Sequence, residues 1–220
     1  MLIYSSGKSI DLRPTKIIAV ARNYLEHARE MKAALPDEPT FFLKPPSALI
    51  PDEGVVVLPA RSSRVDYEVE LAAVIKERLR KIPARDIEKY LMGYSVMVDV
   101  TARDIQAKAK KEGMPWAIAK GFDTFAPLGP KIVPAGDIDV SKLAIWLKVN
   151  GEYKQRGNTD QMIFPVDELI SYISHIMTLE PMDIIATGTP SGIGPMSHGD
   201  EIEAGIENIG VLRFSSLREQ

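Results

Sequence analysis

The chain has 220 residues, 45 % of them hydrophobic, with 27 basic and 30 acidic side chains and a net charge of −3. This near balance gives no reason to expect nucleic acid or an anionic membrane as partner, and the absence of cysteine excludes disulfides, thiolate catalysis and Cys-ligated metals. Met1 to Ser6 lacks the apolar core of a signal peptide, and no apolar run approaches the ~18–20 residues that span a bilayer, so the expectation is a cytoplasmic protein forming one catalytic domain over 1–220.

Lys16 to Val20 reads as a short apolar strand, and residues 22–31 as a short helix. Residues 32–66, with prolines at 36, 39, 45, 46, 51 and 59, read as an irregular functional loop. Strands are predicted at 67–76 and 93–100, with a helix at 84–91 between them. Thr101 as N-cap, with Asp104 three residues on, resembles a capping box. The helix it opens runs to Lys111 and stops at Gly113 and Pro115. Leu143 to Val149 is a strand, and Asn150-Gly151 is a strong hairpin signal. Over 166–177, Leu169, Ile170, Ile173, Ile176 and Met177 recur at helical spacing. Asp183 to Thr187 is a buried strand that ends in the turn-rich 188–195, and strands at 200–204 and 210–215 follow. Strands outnumber helices without a regular βαβ alternation, which predicts a β-rich mixed α+β fold with a few short helices.

Three acids carry the chemistry. Glu68 and Glu70, in Asp66-Tyr67-Glu68-Val69-Glu70-Leu71, share one face of a strand, while Val69 and Leu71 turn to a core. Asp99 ends the apolar run Ser95-Val96-Met97-Val98. Taken alone, an E-x-E on a strand is more often a solvated edge, but the flanking Leu-Ala-Ala-Val-Ile reads as buried on both faces. Adjacent buried carboxylates repel, and a hard divalent cation removes that conflict. Three carboxylates suit Mg²⁺, Mn²⁺ or Ca²⁺ better than zinc and leave half an octahedral shell for water and substrate. A 2-oxo acid can chelate such an ion, which would polarise its ketone.

His27 and Glu30 stand at i and i+3 of the 22–31 helix and can pair as a base. A surface His–Glu pair is the commoner reading of that spacing. His175 and His198 read as surface residues. Lys120, among Trp116 and Phe122, could stabilise an oxyanion or carboxylate, or snorkel outward, and Lys44 in Phe41-Phe42-Leu43-Lys44-Pro45 has the same character. Arg103 could clamp a substrate carboxylate or pair with a neighbouring acid. The turn after Thr187 lacks both nucleotide-binding spacings, so nucleotide binding is rejected. Thr189 and nearby N–H groups could touch a small carboxylate or form a plain turn, and Tyr67 and Trp116 read as core.

Together these segments resemble the fumarylacetoacetate hydrolase family. The matching stretches are Ala21-Arg22-Asn23-Tyr24 with His27 and Glu30, Phe42-Leu43-Lys44-Pro45, Glu68-Val69-Glu70-Leu71, Asp99 to Asp104, Trp116 to Phe122, Trp146 to Gly151 and Thr187 to Gly194. The likeness runs from about 16 to 214 and is closest to the short, single-domain acylpyruvases and oxaloacetate decarboxylases. It implies a β-roll over 67–214 like the C-terminal domain of fumarylacetoacetate hydrolase, with 16–31 and 32–66 as mobile lid and loop. It also implies a homodimer and one Mg²⁺ or Mn²⁺ held by Glu68, Glu70 and Asp99. His27 and Glu30 match the lid dyad that activates water, and Lys120 matches the lysine at the oxo-acid end. Arg22, Arg103, Gln106 and Thr189 match pocket positions. Ala21 departs from a glycine common in relatives.

The implied activity is metal-dependent hydrolysis of a C–C bond in 2,4-dioxo acids, acylpyruvate giving pyruvate and a carboxylate, with oxaloacetate decarboxylation at the same site. The alternatives are a 2-hydroxyhepta-2,4-diene-1,7-dioate isomerase or 2-oxo-3-ene-dioate decarboxylase of aromatic catabolism, a sugar-acid hydrolase, and a non-catalytic β-scaffold with a structural Ca²⁺.

Overall fold

The computed structural model describes residues 1–26 and 36–219, and His27 and Glu30 lie outside them. The largest sheet is mostly antiparallel and runs in the order Lys8–Asp11, Leu2–Ser5, Ala126–Pro134, Leu91–Val98, Val69–Ile75, Ile184–Ala186, Ile17–Ala21 and Thr40–Lys44. Leu49–Ile50 joins it beside Ala126–Pro134. A second sheet is ordered Glu152–Asn158, Ala144–Val149, Glu201–Ile206, Gly210–Arg218 and Gly54–Leu58. A small third sheet pairs Val65–Tyr67 with Thr101–Ala102 and Gly194–Pro195.

Alternation along the central strands sorts side chains between two apolar layers. Val69, Leu71, Ala73 and Ile75 meet Val96 and Val98, together with Leu147, Ile202 and Leu212 of the second sheet and Leu169, Ile170 and Ile173 of the Val166–Ile176 helix. On the opposite face, Ala72 and Val74 pack with Ile17, Ala19, Met97, Ile184 and Ala186. Glu70 shares the parity of Ala72 and Val74, and Asp99 shares that of Met97, so both acids belong to this second face. The result is a curled, β-rich α+β roll, as the strand pattern predicts.

Several local expectations are corrected. Residues 40–44 and 54–58 of the segment read as irregular are strands. The β-favouring runs Thr-Phe-Phe and Val-Val-Val decide this, and the prolines at 39, 45 and 46 bracket the first strand rather than break it. The strand read as 67–76 is two, Val65–Tyr67 and Val69–Ile75, broken at Glu68. Residues 84–90 wind as a 3₁₀ helix. The Thr101 capping box does not form, because Thr101 is committed to the ladder opposite Asp66 and the helix starts at Arg103. Asp104 instead accepts hydrogen bonds from Ser62 Oγ at 2.6 Å and from Ser63 N at 2.9 Å. Ile176, expected in the core stripe, is 50 % exposed. The stop at Gly113 (φ +66) and the Asn150-Gly151 hairpin (φ +51 and +82) take the left-handed turns their sequences favour. Among the described residues no helix is long and apolar enough to cross a membrane.

Candidate metal centre and substrate pocket

Two neighbouring strands build the centre. Glu68 sits at the break between Val65–Tyr67 and Val69–Ile75, and Asp99 follows the end of Leu91–Val98. The Asp99 N–H donates to the Glu68 carbonyl at 2.8 Å, extending the ladder one step beyond the strand and fixing the two acids opposite each other. Glu68, Glu70 and Asp99 are 6, 1 and 1 % exposed, and one carboxylate oxygen from each lies within 4.8 Å of the others.

Cations surround them, and two of these, Lys44 and Lys120, are buried. Lys120 Nζ donates to Glu68 Oε2 at 3.0 Å and to Asp99 Oδ2 at 2.5 Å. Lys44 Nζ donates to Asp99 Oδ1 at 2.7 Å, to the Val100 carbonyl at 3.1 Å and to the Lys120 carbonyl. Arg103 reaches Asp66 through Nε at 2.8 Å, Gln106 Oε1 at 2.7 Å, and the Glu68 carboxylate. Arg64 grips the same Asp66 with two nitrogens, at 2.8 and 3.1 Å. Burial works against the Lys120 ammonium, but Asp99 and Glu68 outweigh it and hold its pKa above the usual lysine value. Burial pulls Lys44 down despite Asp99.

Glu70 differs from its neighbours. Its recorded hydrogen bond comes from the Gly188 N–H at 2.8 Å, and no cation pairs with it among the described residues. Burial, then Asp99 and Glu68, push its pKa well above the usual carboxylate range. A buried carboxylate that lacks a cation and faces two others is the electrostatic gap a divalent ion fills. The all-oxygen donor set fits Mg²⁺ or Mn²⁺.

The loop that reaches Glu70 is itself held. Gly188 has φ +97, and a Cβ there would fall 2.8 Å from Asn23 Cβ, so glycine is required. Asn23 Nδ2 donates to the Thr187 and Phe164 carbonyls at 2.8 and 3.0 Å, and Asn23 Oδ1 accepts from Phe164 N at 2.8 Å. Gln155, fully buried, accepts from Val69 N at 3.0 Å and donates to Thr189 Oγ1 at 2.8 Å and the Pro190 carbonyl at 2.9 Å. Because Thr189 Oγ1 accepts from Gln155, its own proton is free to be donated elsewhere.

A cavity of about 240 Å³ opens above the triad. Arg22, Arg103, Gln106, Lys120 and Thr189 all line it with the three acids, alongside Phe42, Lys110 and Trp116. Trp116 is therefore a half-buried wall rather than a core residue, 5.6 Å from the Phe42 ring. Tyr67 is core, and His175 and His198 are exposed. A larger groove of about 860 Å³ runs past Ala84–Leu91, Ala135–Ser141 and Thr159–Asp167. Its size alone would favour it, but among the described residues only Glu68, Glu70 and Asp99 cluster as metal ligands, and they line the smaller cavity. Sequence reasoning left Lys44 undecided and missed Asp66, Gln155 and Lys110. Asp66 stands two residues before Glu68 in a strand, on the same parity, and that was its available signal.

Residues 16–215 match the family model described as Fumarylacetoacetate (FAA) hydrolase C-terminal. The chain is 59 % identical over 209 residues to an uncharacterized protein of Pyrococcus horikoshii, covering 95 % of this chain and 91 % of that protein. It is 44 % identical over 204 residues to the mitochondrial oxaloacetate tautomerase FAHD1 of Bos taurus, covering 93 % of this chain and 92 % of that one. It is also similar to the crystal structure of fumarylpyruvate hydrolase from Pseudomonas aeruginosa in complex with Mn²⁺ and pyruvate, at 35 % identity and a TM-score of 0.93, over 100 % of this chain and 96 % of that chain. The chain belongs to the fumarylacetoacetate hydrolase family.

Proposed function

We propose that this member of the fumarylacetoacetate hydrolase family is a divalent-metal-dependent enzyme that promotes enol chemistry in a small 2-oxo acid, with oxaloacetate tautomerisation as its leading reaction. The observation that carries the reading is the buried Glu68–Glu70–Asp99 triad under a cavity lined by donors. A Mg²⁺ or Mn²⁺ ion held by the three carboxylates would supply Lewis-acid polarisation of the substrate ketone. Beside it, Lys120, which donates to Glu68 and Asp99, would donate a hydrogen bond to a developing oxyanion. Gln106 gives its oxygen to Arg103, which turns its amide NH₂ into a donor for a carboxylate, and the Thr189 hydroxyl is a second donor. We assign the C3 proton to His27, oriented by Glu30.

The same set supports a second reading, hydrolysis of acylpyruvates, in which His27 takes its proton from a water that attacks the 4-carbonyl. The similarity to fumarylpyruvate hydrolase favours keeping it. Stopped-flow decay of the oxaloacetate enol, and pyruvate release from acetylpyruvate, would be followed on stripped protein with and without Mg²⁺ or Mn²⁺. Metal-dependent acceleration of enol decay is the expected result. Equal decay with and without metal would overturn the tautomerase reading, and pyruvate release from acetylpyruvate alone would leave the hydrolase.

A further inference from the structure

We propose that Lys110, seated over the Trp116 ring at the mouth of the cavity, selects for a substrate with a second anionic group at the end away from the triad. The inference rests on the oxo-acid reading above and assigns a residue and a ligand charge to the outer half of the pocket.

Arg103, Gln106 and Lys110 stand at i, i+3 and i+7 of the Arg103–Glu112 helix, so they share a face. Seven residues of helix place Lys110 about 10 Å farther along the axis than Arg103, which engages Glu68. Side chains on a helix lean toward its N-terminus, which tilts Lys110 back over the cavity that it lines. Its Nζ lies 5.0 Å from the Trp116 ring centroid, a cation–π seat that limits where the charge can go.

Charge balance separates the four cations that line the cavity. Arg103 and Lys120 are tied to Asp66, Glu68 and Asp99. Lys110 and Arg22 form no ion pair among the described residues, and every acid on the cavity wall belongs to the triad. Partial burial, then Arg103 and Arg22, depress the Lys110 pKa, so the outer pocket holds mutually repelling positive groups. Arg22 is placed there by a left-handed backbone, φ +58, that a non-glycine residue seldom adopts. A carboxylate set between Lys110 and Arg22 relieves that repulsion, while the first carboxylate of the same molecule occupies the donors near the triad.

The test compares two substrates that differ only in distal charge, oxaloacetate and its 4-methyl ester. Metal-loaded wild type, Lys110→Met and Lys110→Arg would be assayed for enol-to-keto conversion, with melting temperature and Mn²⁺ affinity measured alongside to separate folding from recognition. In Lys110→Met the kcat/KM ratio of diacid to ester should fall about tenfold, as expected for loss of a charge-assisted contact, mainly through KM, and Lys110→Arg should restore most of it. A ratio that moves less than threefold in a folded, metal-binding Lys110→Met overturns the inference. If metal-loaded wild type accelerates neither substrate, the oxo-acid reading fails and takes the inference with it.

Discussion

The floor and the mouth of this pocket are built by opposite rules. At the floor, Glu68, Glu70 and Asp99 are almost completely buried, and backbone ladders or buried side chains fix each of them. At the mouth, Lys110 is exposed and Arg22 and Trp116 are half-buried, supplied by a helix face and by loops. A constellation held by neighbouring strands in a packed sheet keeps its geometry, which is what a reacting centre needs. Side chains on loops and exposed helix faces can vary without disturbing the core, which is what substrate choice needs. The division implies that changes at the floor alter whether chemistry happens and changes at the mouth alter to which molecule.

The severest test is Glu70→Gln. It removes one of three charged donors, so Mn²⁺ affinity and metal-dependent turnover should fall by more than the ~10–100-fold typical of losing an outer-shell partner. The same change should raise the melting temperature of metal-free protein, because the carboxylate without a cation is gone. The pH dependence carries the sign. Glu70 holds its proton more tightly folded than unfolded, so its contribution is full below the unfolded pKa of about 4.3 and is lost as pH rises through the elevated folded value. Metal-free wild type should therefore lose melting temperature across that rise, and Glu70→Gln should flatten the slope. Calorimetry at several pH values with chelator present checks both, and an unchanged slope would remove Glu70 as the strained member of the floor.

Lys120→Met comes next. It strips a buried cation from Glu68 and Asp99, which should destabilise the metal-free protein by about 3–5 kcal/mol. If Lys120 donates to the oxyanion, kcat with metal bound should drop about 10²–10³-fold. Chemical denaturation and steady-state kinetics separate these, and a loss confined to stability would leave Lys120 a structural counterion.

The smallest effect is expected at the first turn of the helix that carries Lys110. Asp104 anchors the Arg103–Glu112 helix to Ser62 and Ser63, whose hydrogen bonds outweigh the opposing effect of burial and hold its pKa at about 2. That anchor is complete above the unfolded pKa of about 3.9 and lost as pH falls from there toward 2. Asp104→Asn should lower the melting temperature by a few degrees at neutral pH and remove this part of the acid-side decline. A loss as large as that of Lys120→Met would make this helix anchor as important to the fold as the buried counter-ions of the floor.

How much of this was legible follows the same division. The triad was readable because alternation places Glu68 with Glu70, and unbroken apolar neighbours leave no solvated face for them. The amphipathic 166–177 helix was readable by its period, apart from its exposed last turn. The mouth was less so. Trp116 reads as core because an indole is mostly apolar, yet a cavity wall satisfies that demand as well. Lys44 was undecidable between snorkelling and burial because the partners that settle it, Asp99 and the Lys120 carbonyl, are 55 and 76 residues away. Thr101 failed as a cap for a related reason: a local propensity gave way to a strand partner brought from residue 66. Those pairings exist only after the chain has closed.

Lys44 and Lys120, described above as neighbours of Asp99, also bear on when the centre can take up its ion. They are resident counter-charges. Most of the acid at the floor is already neutralised within the chain, so the roll can close before any ion arrives. Metal capture then falls to a finished cage rather than to a nascent chain.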